Sequence, residues 1–231
     1  MQPTVLPDAA ALARHAAVLI AEQARASIAA RGRFVLALSG GETPRPMLNE
    51  LAAMDVDWDG VHVVQVDERF APPGDPARNL TLLQETLLAH APLAPEQIYP
   101  MPVEAADPAA AAGDYARLLE QLAGVPPVID LVHLGLGTDG HTASLVPGDA
   151  ALDVTDADVA VTGVYKGRQR MTLTYPVIDR ARCILWQVSG EAKAPMLARL
   201  CAGDTDIPAG RIAREQAVVL ADHAAAAFLN G

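Results

Sequence analysis

Apolar and polar positions alternate along the chain with two spacings, one typical of helices and one typical of buried strands. The helix-like stretches are Asp8–Arg31, Pro44–Ala53, Asn79–His90, Pro108–Leu122, Glu191–Leu200 and Asp222–Leu229. The strand-like stretches are Phe34–Ser39, Val61–Asp67, Ile129–Leu136, Val159–Val164, Met171–Tyr175, Cys183–Val188 and Val218–Ala221. Several strand-like stretches are apolar at nearly every position, as in strands covered on both faces. The pattern predicts an α/β fold with a doubly wound, mainly parallel sheet and helices on both faces.

The ends of the predicted helices carry residues that commonly cap helices. Asp8, Thr43, Asp107 and Asp222 each stand at the start of one of these stretches. Their side-chain oxygens can accept a hydrogen bond from the free N–H groups of a first turn. Gly32 stands where the first helix should stop, because glycine readily adopts the left-handed conformation that ends helices.

Composition narrows the class of protein. The 231 residues include 17 Lys+Arg and 28 Asp+Glu, a net charge of −11, and 51% of them are hydrophobic. The hydrophobic fraction is too high for a disordered chain, and the acidic balance argues against nucleic acid or an anionic membrane as a partner. The composition of Glu104–Ala112 is compatible with a linker, but the stretch leads directly into a capped helix, so we do not divide the chain there. We therefore predict a single domain over residues 1–231.

No apolar run approaches the ~18 residues of a membrane span. The first residues lack the basic region and apolar segment of a secretory signal. Cys183 and Cys201 form neither a CxxC pair nor a disulfide-rich pattern, so we interpret both as reduced thiols. These observations predict a soluble protein of the cytoplasm.

In parallel α/β folds, ligands bind at the carboxyl ends of the strands. The first predicted strand is followed by Ser39-Gly40-Gly41-Glu42-Thr43-Pro44. The glycines allow a close backbone approach, and the free N–H groups of a following helix suit a phosphate. The segment is neither a P-loop nor a three-glycine dinucleotide motif. It is also compatible with a plain turn between a strand and a helix.

The second strand ends in Asp67-Glu68-Arg69. Three charges directly after a buried strand are costly unless they are solvated, paired or used in a site. A surface ion pair is as consistent with this segment as a functional role. Arg78 and Asn79 follow at the start of a helix, where we expect Arg78 to be solvated.

The loop after the strand Ile129–Leu136 combines glycines with Asp139 and His141. A carboxylate beside an imidazole is a sensible arrangement for a general base near neutral pH. The alternative is that Asp139 caps the loop and His141 is a solvated turn residue. We favour a catalytic role, because flexible and reactive residues are concentrated here.

Two cations stand at other strand ends. Arg170 begins a strand, and Lys193 lies at a junction between a strand and a helix. In an acidic protein such residues are candidates for holding an anion, although each alone is compatible with a solvated surface cation. The chain has no HExxH motif and no Gly-x-Ser-x-Gly elbow. We therefore predict no metal and no cofactor, and we rank a covalent serine mechanism second.

In chain order, these motifs resemble the glucosamine-6-phosphate isomerase/6-phosphogluconolactonase family, and most closely its 6-phosphogluconolactonases. The resemblance covers residues 39–44, 67–69, 79, 135–144, 170–174 and 190–193. It implies hydrolysis of 6-phospho-D-glucono-1,5-lactone to 6-phospho-D-gluconate in the oxidative pentose phosphate pathway, without a metal. The partner would be a phosphorylated sugar lactone. The chain departs from the family pattern at Arg78, where Ser is usual, and at Lys166–Gln169, where prolines are common.

Our hypothesis assigns roles to these residues. His141 takes a proton from the attacking water, and Asp139 shapes the loop or orients the imidazole. The substrate and its phosphate are held by Ser39, Gly40, Gly41, Thr43, Asp67, Arg69, Arg170 and Lys193.

Two alternatives stay open. The sugar-phosphate deaminases that resemble this chain carry a Glu after the His loop, where this chain has Val146. A non-catalytic sugar-phosphate sensor would keep the anion site without needing His141.

Overall fold

The computed structural model describes residues 1–229. Ten strands are present in this range: β1 (Thr4–Leu6), β2 (Phe34–Leu38), β3 (Val61–Gln65), β4 (Asp67–Arg69), β5 (Ile98–Tyr99), β6 (Leu131–Leu134), β7 (Val159–Val161), β8 (Arg170–Leu173), β9 (Ile184–Val188) and β10 (Ala217–Asp222). The seven α-helices of this range are α1 (Ala9–Arg31), α2 (Pro44–Ala52), α3 (Asn79–Glu85), α4 (Leu87–His90), α5 (Pro108–Ala123), α6 (Tyr175–Asp179) and α7 (Ala194–Ala202).

The main sheet has seven strands in the order β1-β10-β9-β6-β2-β3-β5, and every pair in it is parallel. The predicted α/β fold with a mainly parallel sheet is confirmed. Because all strands of this sheet run the same way, the turns after β2, β6 and β9 meet at one edge. That edge carries the candidate site.

Strand β2 shows why the sheet is covered on both faces. Phe34, Leu36 and Leu38 belong to a core shared with α1 and α2, whereas Val35 and Ala37 belong to a core shared with α5 and α7. All five side chains are at most 1% exposed. The alternation of a strand thus sends successive apolar side chains into two cores.

Helix α1 has the ends that the sequence predicts. The Asp8 carboxylate accepts a hydrogen bond from the Ala11 N–H at 2.8 Å, and Gly32 ends the helix at φ 74°. Asp107 likewise accepts from the first N–H groups of α5. Thr43 occupies the predicted position directly before α2, but it has helical dihedrals and its side chain makes no capping hydrogen bond. The predicted cap Asp222 is wrong, because this residue ends strand β10.

A second, smaller sheet lies beside the main one. Strands β4, β8 and β7 pair antiparallel, with Asp67 opposite Thr172 and Arg69 opposite Arg170. This sheet does not follow from the sequence pattern, in which 67–69 is a charged segment after a strand. Three consecutive charged residues carry no hydrophobic alternation, so the pairing depends on the partner strand β8.

Several predicted elements end elsewhere. The predicted helix Asp222–Leu229 is wrong, because β10 continues to Asp222 and turns follow it. The Asp222 carboxylate instead accepts from Ser189 Oγ at 2.5 Å and from the backbone N–H of Ala225 at 2.7 Å. The predicted helix Asn79–His90 is interrupted at Thr86, whose ψ of −93° is not helical. Strands β1 and β5 and helix α6 were missed because they are only two to five residues long.

None of the helices within residues 1–229 is long and apolar enough to cross a membrane. Cys183 and Cys201 are free thiols, as predicted.

Candidate active site

A cavity of about 370 Å³ opens at the carboxyl ends of β2, β6 and β9. Nine of the ten residues predicted for the site line it: Ser39, Gly40, Gly41, Thr43, Asp67, Arg69, His141, Arg170 and Lys193. The tenth, Asp139, contacts His141 directly. Residues from five separate segments of the sequence therefore meet in one cavity.

The turn from β2 to α2 forms one wall of the cavity. Gly41 has φ 105°, a conformation that disfavours any side chain. A Cβ on Gly40 would lie 1.8 Å from Oδ1 of Asn79, so only glycine fits there without a shift. The Asn79 amide donates to Oδ1 and to the carbonyl of Asp67, both at 2.8 Å. Packing of Asn79 thus joins the turn to the start of β4.

Asp67 is a buried carboxylate, only 3% exposed. Its Oδ1 accepts from Asn79, and its Oδ2 accepts from the Ser144 hydroxyl at 2.6 Å. Both oxygens are therefore satisfied, which makes its burial tolerable. The same bonds tie the loop that carries His141 to the small sheet.

Glu68 and Arg78 correct two expectations from the sequence. Glu68 is completely buried and accepts from the backbone N–H groups of Asn79 and Leu80, each at 2.8 Å. Arg78 is 2% exposed, lies 3.5 Å from Glu68 and pairs with Glu104. Arg78 is therefore not solvated, and Glu68 does not belong to a surface ion pair. These groups hold the helix start in place rather than facing the cavity.

Three cations line the cavity without a carboxylate partner among residues 1–229: Arg69, Arg170 and Lys193. The two arginines face each other on β4 and β8, an arrangement of like charges that is unfavourable by itself. Burial lowers the pKa of Arg170, and the charge of Arg69 lowers it further, although the charges of Asp67 and Glu68 oppose this. Burial also lowers the pKa of Lys193, although the Asp139 charge partly opposes this. The part of the cavity lined by these three cations therefore favours a bound anion, which would relieve the repulsion between Arg69 and Arg170.

The Nε atoms of the two arginines support this conclusion. Both are buried without a hydrogen-bond partner among the described residues. The terminal NH1 of Arg69 donates to the carbonyl of Ala77 at 2.6 Å, and this bond fixes the guanidinium. The Arg170 guanidinium lies 5.0 Å from the ring centre of Tyr165.

His141 and Asp139 form a close pair at the mouth of the cavity. Nδ1 of His141 lies 2.5 Å from Oδ1 of Asp139, and the Tyr165 hydroxyl donates to Oδ2 at 2.7 Å. Partial burial raises the pKa of Asp139, but the hydrogen bonds from Tyr165 and His141 outweigh it and lower the pKa to about 2. An ionised carboxylate can only accept, so Nδ1 carries the proton and Nε2 keeps its lone pair.

Gly137 makes room for this pair. A Cβ at Gly137 would lie 2.0 Å from Nδ1 of His141 and 2.6 Å from Oδ1 of Asp139. The Gly137 N–H donates to the carbonyl of His141 at 2.8 Å, which closes the loop. The glycine is therefore required by close approach and not by an unusual φ.

Tyr165 contacts the Asp139–His141 pair but is not among the site residues predicted from the sequence. It begins a tight hairpin to Arg168 in which Lys166 and Gly167 have φ of 48° and 79°. Its ring meets the His141 ring edge-on, with 5.5 Å between the centres. Adjacent positive φ values are typical of a two-residue hairpin turn, for which the Lys-Gly dipeptide is a weak signal.

His133 and Gln187 were also missed. His133 lies 2.9 Å from the Ser39 hydroxyl through Nδ1 and 2.9 Å from Gln187 Oε1 through Nε2. Burial lowers the pKa of His133 to about 4, against a small opposing effect of the Gln187 bond. Polar residues inside otherwise apolar strands are the sequence signal that marks both positions.

Comparison with known proteins identifies the family. Residues 7–221 match the family described as glucosamine-6-phosphate isomerases/6-phosphogluconolactonase. The chain belongs to this family. It is 37% identical to a 6-phosphogluconolactonase of Nostoc sp. over 206 residues, which cover 87% of this chain and 85% of that protein.

Solved structures agree with this family assignment. The 6-phosphogluconolactonase of Trypanosoma cruzi superposes with a TM-score of 0.88 at 25% identity, over 100% of this chain and 98% of that one. A monomeric glucosamine-6-phosphate deaminase superposes with a TM-score of 0.86 at 20% identity, over 99% and 100%. The second likeness shows the fold alone. Members of one fold thus carry two chemistries, and the site must distinguish them.

The family resemblance in the sequence is therefore confirmed. The hairpin Tyr165–Arg168 occupies the segment where the chain departs from the family pattern, and it is held to the loop after β4 by an Arg168–Asp75 ion pair at 3.0 Å. Among residues 1–229, no cluster of three or more His, Cys, Asp or Glu side chains is placed to hold a metal. Metal-free chemistry stays a prediction.

Proposed function

We propose that this chain hydrolyses 6-phospho-D-glucono-1,5-lactone to 6-phospho-D-gluconate, with His141 as the general base. One observation carries the proposal: the Asp139–His141 pair opens into the same cavity as three cations without carboxylate partners. A base and an anion site in one cavity suit a substrate that carries a phosphate and a lactone. The names of the relatives at 37% identity support the same substrate.

The phosphate would bind at the turn Ser39–Thr43. Backbone N–H groups at the start of α2 and the hydroxyls of the turn can donate to its oxygens. Arg69, Arg170 and Lys193 would supply charge-assisted hydrogen bonds. With a net charge of −11, the protein repels an anion at long range, so these short contacts must provide the affinity.

The chemistry would proceed from the tautomer set by Asp139. Nε2 of His141 takes a proton from water while the water oxygen attacks the lactone carbonyl carbon. The imidazolium, stabilised by the Asp139 carboxylate, returns that proton to the ring oxygen as the bond between C1 and that oxygen breaks. Water is thereby added across one ester bond, and the acid formed loses its proton to solvent. Asp139 is too weak a base for the first step, because its pKa of about 2 lies far below neutral pH.

Asp67 lines the cavity and was predicted to bind substrate. Since both of its oxygens already accept hydrogen bonds, we propose that it acts mainly by holding Asn79 and Ser144. A substrate hydroxyl could donate to a remaining lone pair of the same carboxylate.

The deaminase alternative lacks a feature that its relatives would use. At the position where the resemblance implies a helper Glu, Val146 is apolar and only 4% exposed. Asp139 is the carboxylate that contacts the His141 ring within residues 1–229. A non-catalytic sensor does not need the oriented base His141, so we rank this function below the lactonase and the deaminase.

The test is turnover by the purified chain. Acid release from 6-phosphogluconolactone is followed at constant pH, and the spontaneous rate is subtracted. We expect catalysis by the wild type and a loss of about 10²–10⁴-fold in kcat for His141→Asn, with little change in KM. Ammonium release from glucosamine 6-phosphate would instead favour the deaminase. If the wild-type protein turns over neither substrate but still binds the sugar phosphate, the result would favour the non-catalytic sensor.

The other expectations from the sequence belong to this proposal. We propose that the chain acts as a single domain in the cytoplasm, on a small phosphorylated lactone, without nucleic acid, membrane or cofactor.

A further inference from the structure

Three polar side chains form a buried row across neighbouring strands beneath the turn Ser39–Thr43. Ser39 follows β2, His133 lies in β6 and Gln187 lies in β9, and these strands are adjacent in the sheet. The three side chains are 5%, 1% and 2% exposed, yet all of them line the cavity. Burying them in a largely apolar sheet is costly unless each is hydrogen bonded.

The bonds give the row a direction. Nε2 of His133 lies 2.9 Å from Oε1 of Gln187, and an amide oxygen only accepts, so Nε2 carries the proton. In a neutral imidazole Nδ1 must then accept, and its partner at 2.9 Å is the Ser39 hydroxyl. In this arrangement the Ser39 hydroxyl donates its hydrogen bond to His133, so toward the cavity it can only accept hydrogen bonds.

The row is unsuited to nucleophilic catalysis. A serine nucleophile must transfer its proton to a base that can hold it. Burial lowers the pKa of His133 to about 4, so the imidazolium is disfavoured at neutral pH. The three groups therefore remain neutral, and a different role must account for them.

A second arrangement of the same atoms is available. Rotation of the Gln187 amide exchanges its oxygen and nitrogen, which have nearly the same shape. Gln187 then donates to Nε2 of His133, Nδ1 donates to Ser39, and the Ser39 proton points into the cavity. The rotation sacrifices the long contact of 3.5 Å between Gln187 Nε2 and the carbonyl of Thr43 and turns Oε1 toward that carbonyl, a cost that the bound anion must offset.

We propose that Ser39, His133 and Gln187 form a reversible hydrogen-bond relay whose direction is set by an anionic oxygen bound in the turn Ser39–Thr43. A phosphate monoester or free phosphate needs donors, and it therefore favours the arrangement in which Ser39 donates. The single ring proton of His133 moves from Nε2 to Nδ1 by exchange with water, without a change in net charge. His133 is thus a positioning residue. The relay rests on the proposed function, because it takes this turn as the phosphate site.

The tautomer of His133 can be measured directly. The ¹⁵N chemical shifts of the ring nitrogens of ¹⁵N-histidine-labelled protein distinguish a protonated nitrogen from a bare one. The signals of His133 are assigned by their loss in His133→Gln. Inorganic phosphate is the first probe, and 6-phosphogluconate is the second. We expect the proton on Nε2 without phosphate and on Nδ1 at saturation. His62 lies in β3, is not among the residues that line the cavity, and has its Nδ1 3.1 Å from the Tyr99 hydroxyl. It serves as the internal control and should not change.

Two variants test whether the signal passes through the row. In Ser39→Ala, phosphate should still bind to the remaining groups, but the His133 tautomer should no longer respond. In Gln187→Met, which removes the amide acceptor, the proton should already reside on Nδ1 without phosphate. Phosphate affinity should then stay the same or rise by up to about tenfold, since no reversal is needed.

The amide signals of Gly40 and Gly41 report occupancy independently of the relay. If they show saturation by phosphate while His133 keeps its proton on Nε2, the relay is wrong and the phosphate site stands. An equal tautomer change in Ser39→Ala would also overturn the relay, because charge alone would then explain the shift. If neither probe moves the glycine signals, the phosphate site itself is refuted, and the relay with it.

Discussion

Gly137→Ala should displace the Asp139–His141 pair, although Gly137 itself supplies no group to the reaction. The added Cβ would stand 2.0 Å from Nδ1 of His141, 2.3 Å from Cε1 and 2.6 Å from Oδ1 of Asp139. Ordinary contact begins near 3.4 Å, so the imidazole or the loop must retreat by more than 1 Å. A displacement of about 1 Å from a reactive geometry can reduce a rate by about 10²-fold, or about 2.7 kcal/mol in the barrier.

The assay is kcat and KM for hydrolysis of the phosphorylated lactone, with the spontaneous rate subtracted. We expect kcat to fall by about 10²-fold while KM changes little, because the three atoms nearest the added Cβ belong to His141 and Asp139 and not to the cations proposed to hold the phosphate. Gly135→Ala is the matched control in the same loop, since a Cβ there meets nothing within 4 Å. It should keep kcat within about threefold.

A double variant shows whether the loss acts through the histidine. Residues that work as a unit show non-additive losses, so Gly137→Ala should cost almost nothing further in the His141→Asn background. Thermal unfolding of each variant checks that the fold is intact. Turnover of a folded Gly137→Ala protein at close to the wild-type rate would refute the arrangement of Asp139 and His141 as the working base.

Arg69→Ala and Lys193→Ala should each raise KM for the phosphorylated lactone by about ten- to hundredfold, the value of a charge-assisted hydrogen bond, whereas turnover of unphosphorylated gluconolactone should not change. Equal damage to both substrates would argue against phosphate contacts. Tyr165→Phe removes a bond to Asp139 and should raise the pKa of that carboxyl from about 2. A lowered carboxyl pKa adds stability above its ordinary value of 3.8, and this stability is lost as the pH falls through about 2. Urea titrations of the wild type and Tyr165→Phe should therefore show a difference in unfolding free energy that vanishes as the pH falls from 3.8 toward 2. A difference that stays constant over this range would contradict the role of Tyr165 in lowering the pKa of Asp139. Dialysis against a strong chelator should leave lactone turnover intact, and activity lost and then restored by zinc would reveal a metal site.

Local patterns in the sequence were sufficient to predict that a parallel sheet is covered by helices on both faces. The alternation along β2 and the capped ends of α1 act over a few residues, so they can be read from the chain alone. The motifs at strand ends also indicated which side chains share a cavity, because parallel strands present their carboxyl ends at one edge. The predicted helix Asp222–Leu229 failed because the Asp222 carboxylate bonds Ser189 and the following turn instead of capping a helix.

What the sequence alone determined is therefore the order of the longer strands and helices, the family and most of the chemical groups of the site. The tertiary structure decided how those groups are paired. Ser39 and His133 are 94 residues apart and His133 and Gln187 are 54 apart, and they meet only because β2, β6 and β9 are neighbours in a sheet whose order differs from the chain order. The burial of Arg78 against Glu68 and the bond from Tyr165 to Asp139 depend in the same way on contacts between distant segments. Hydrophobic periodicity records which face of an element is buried, but it carries no information on which other element covers that face.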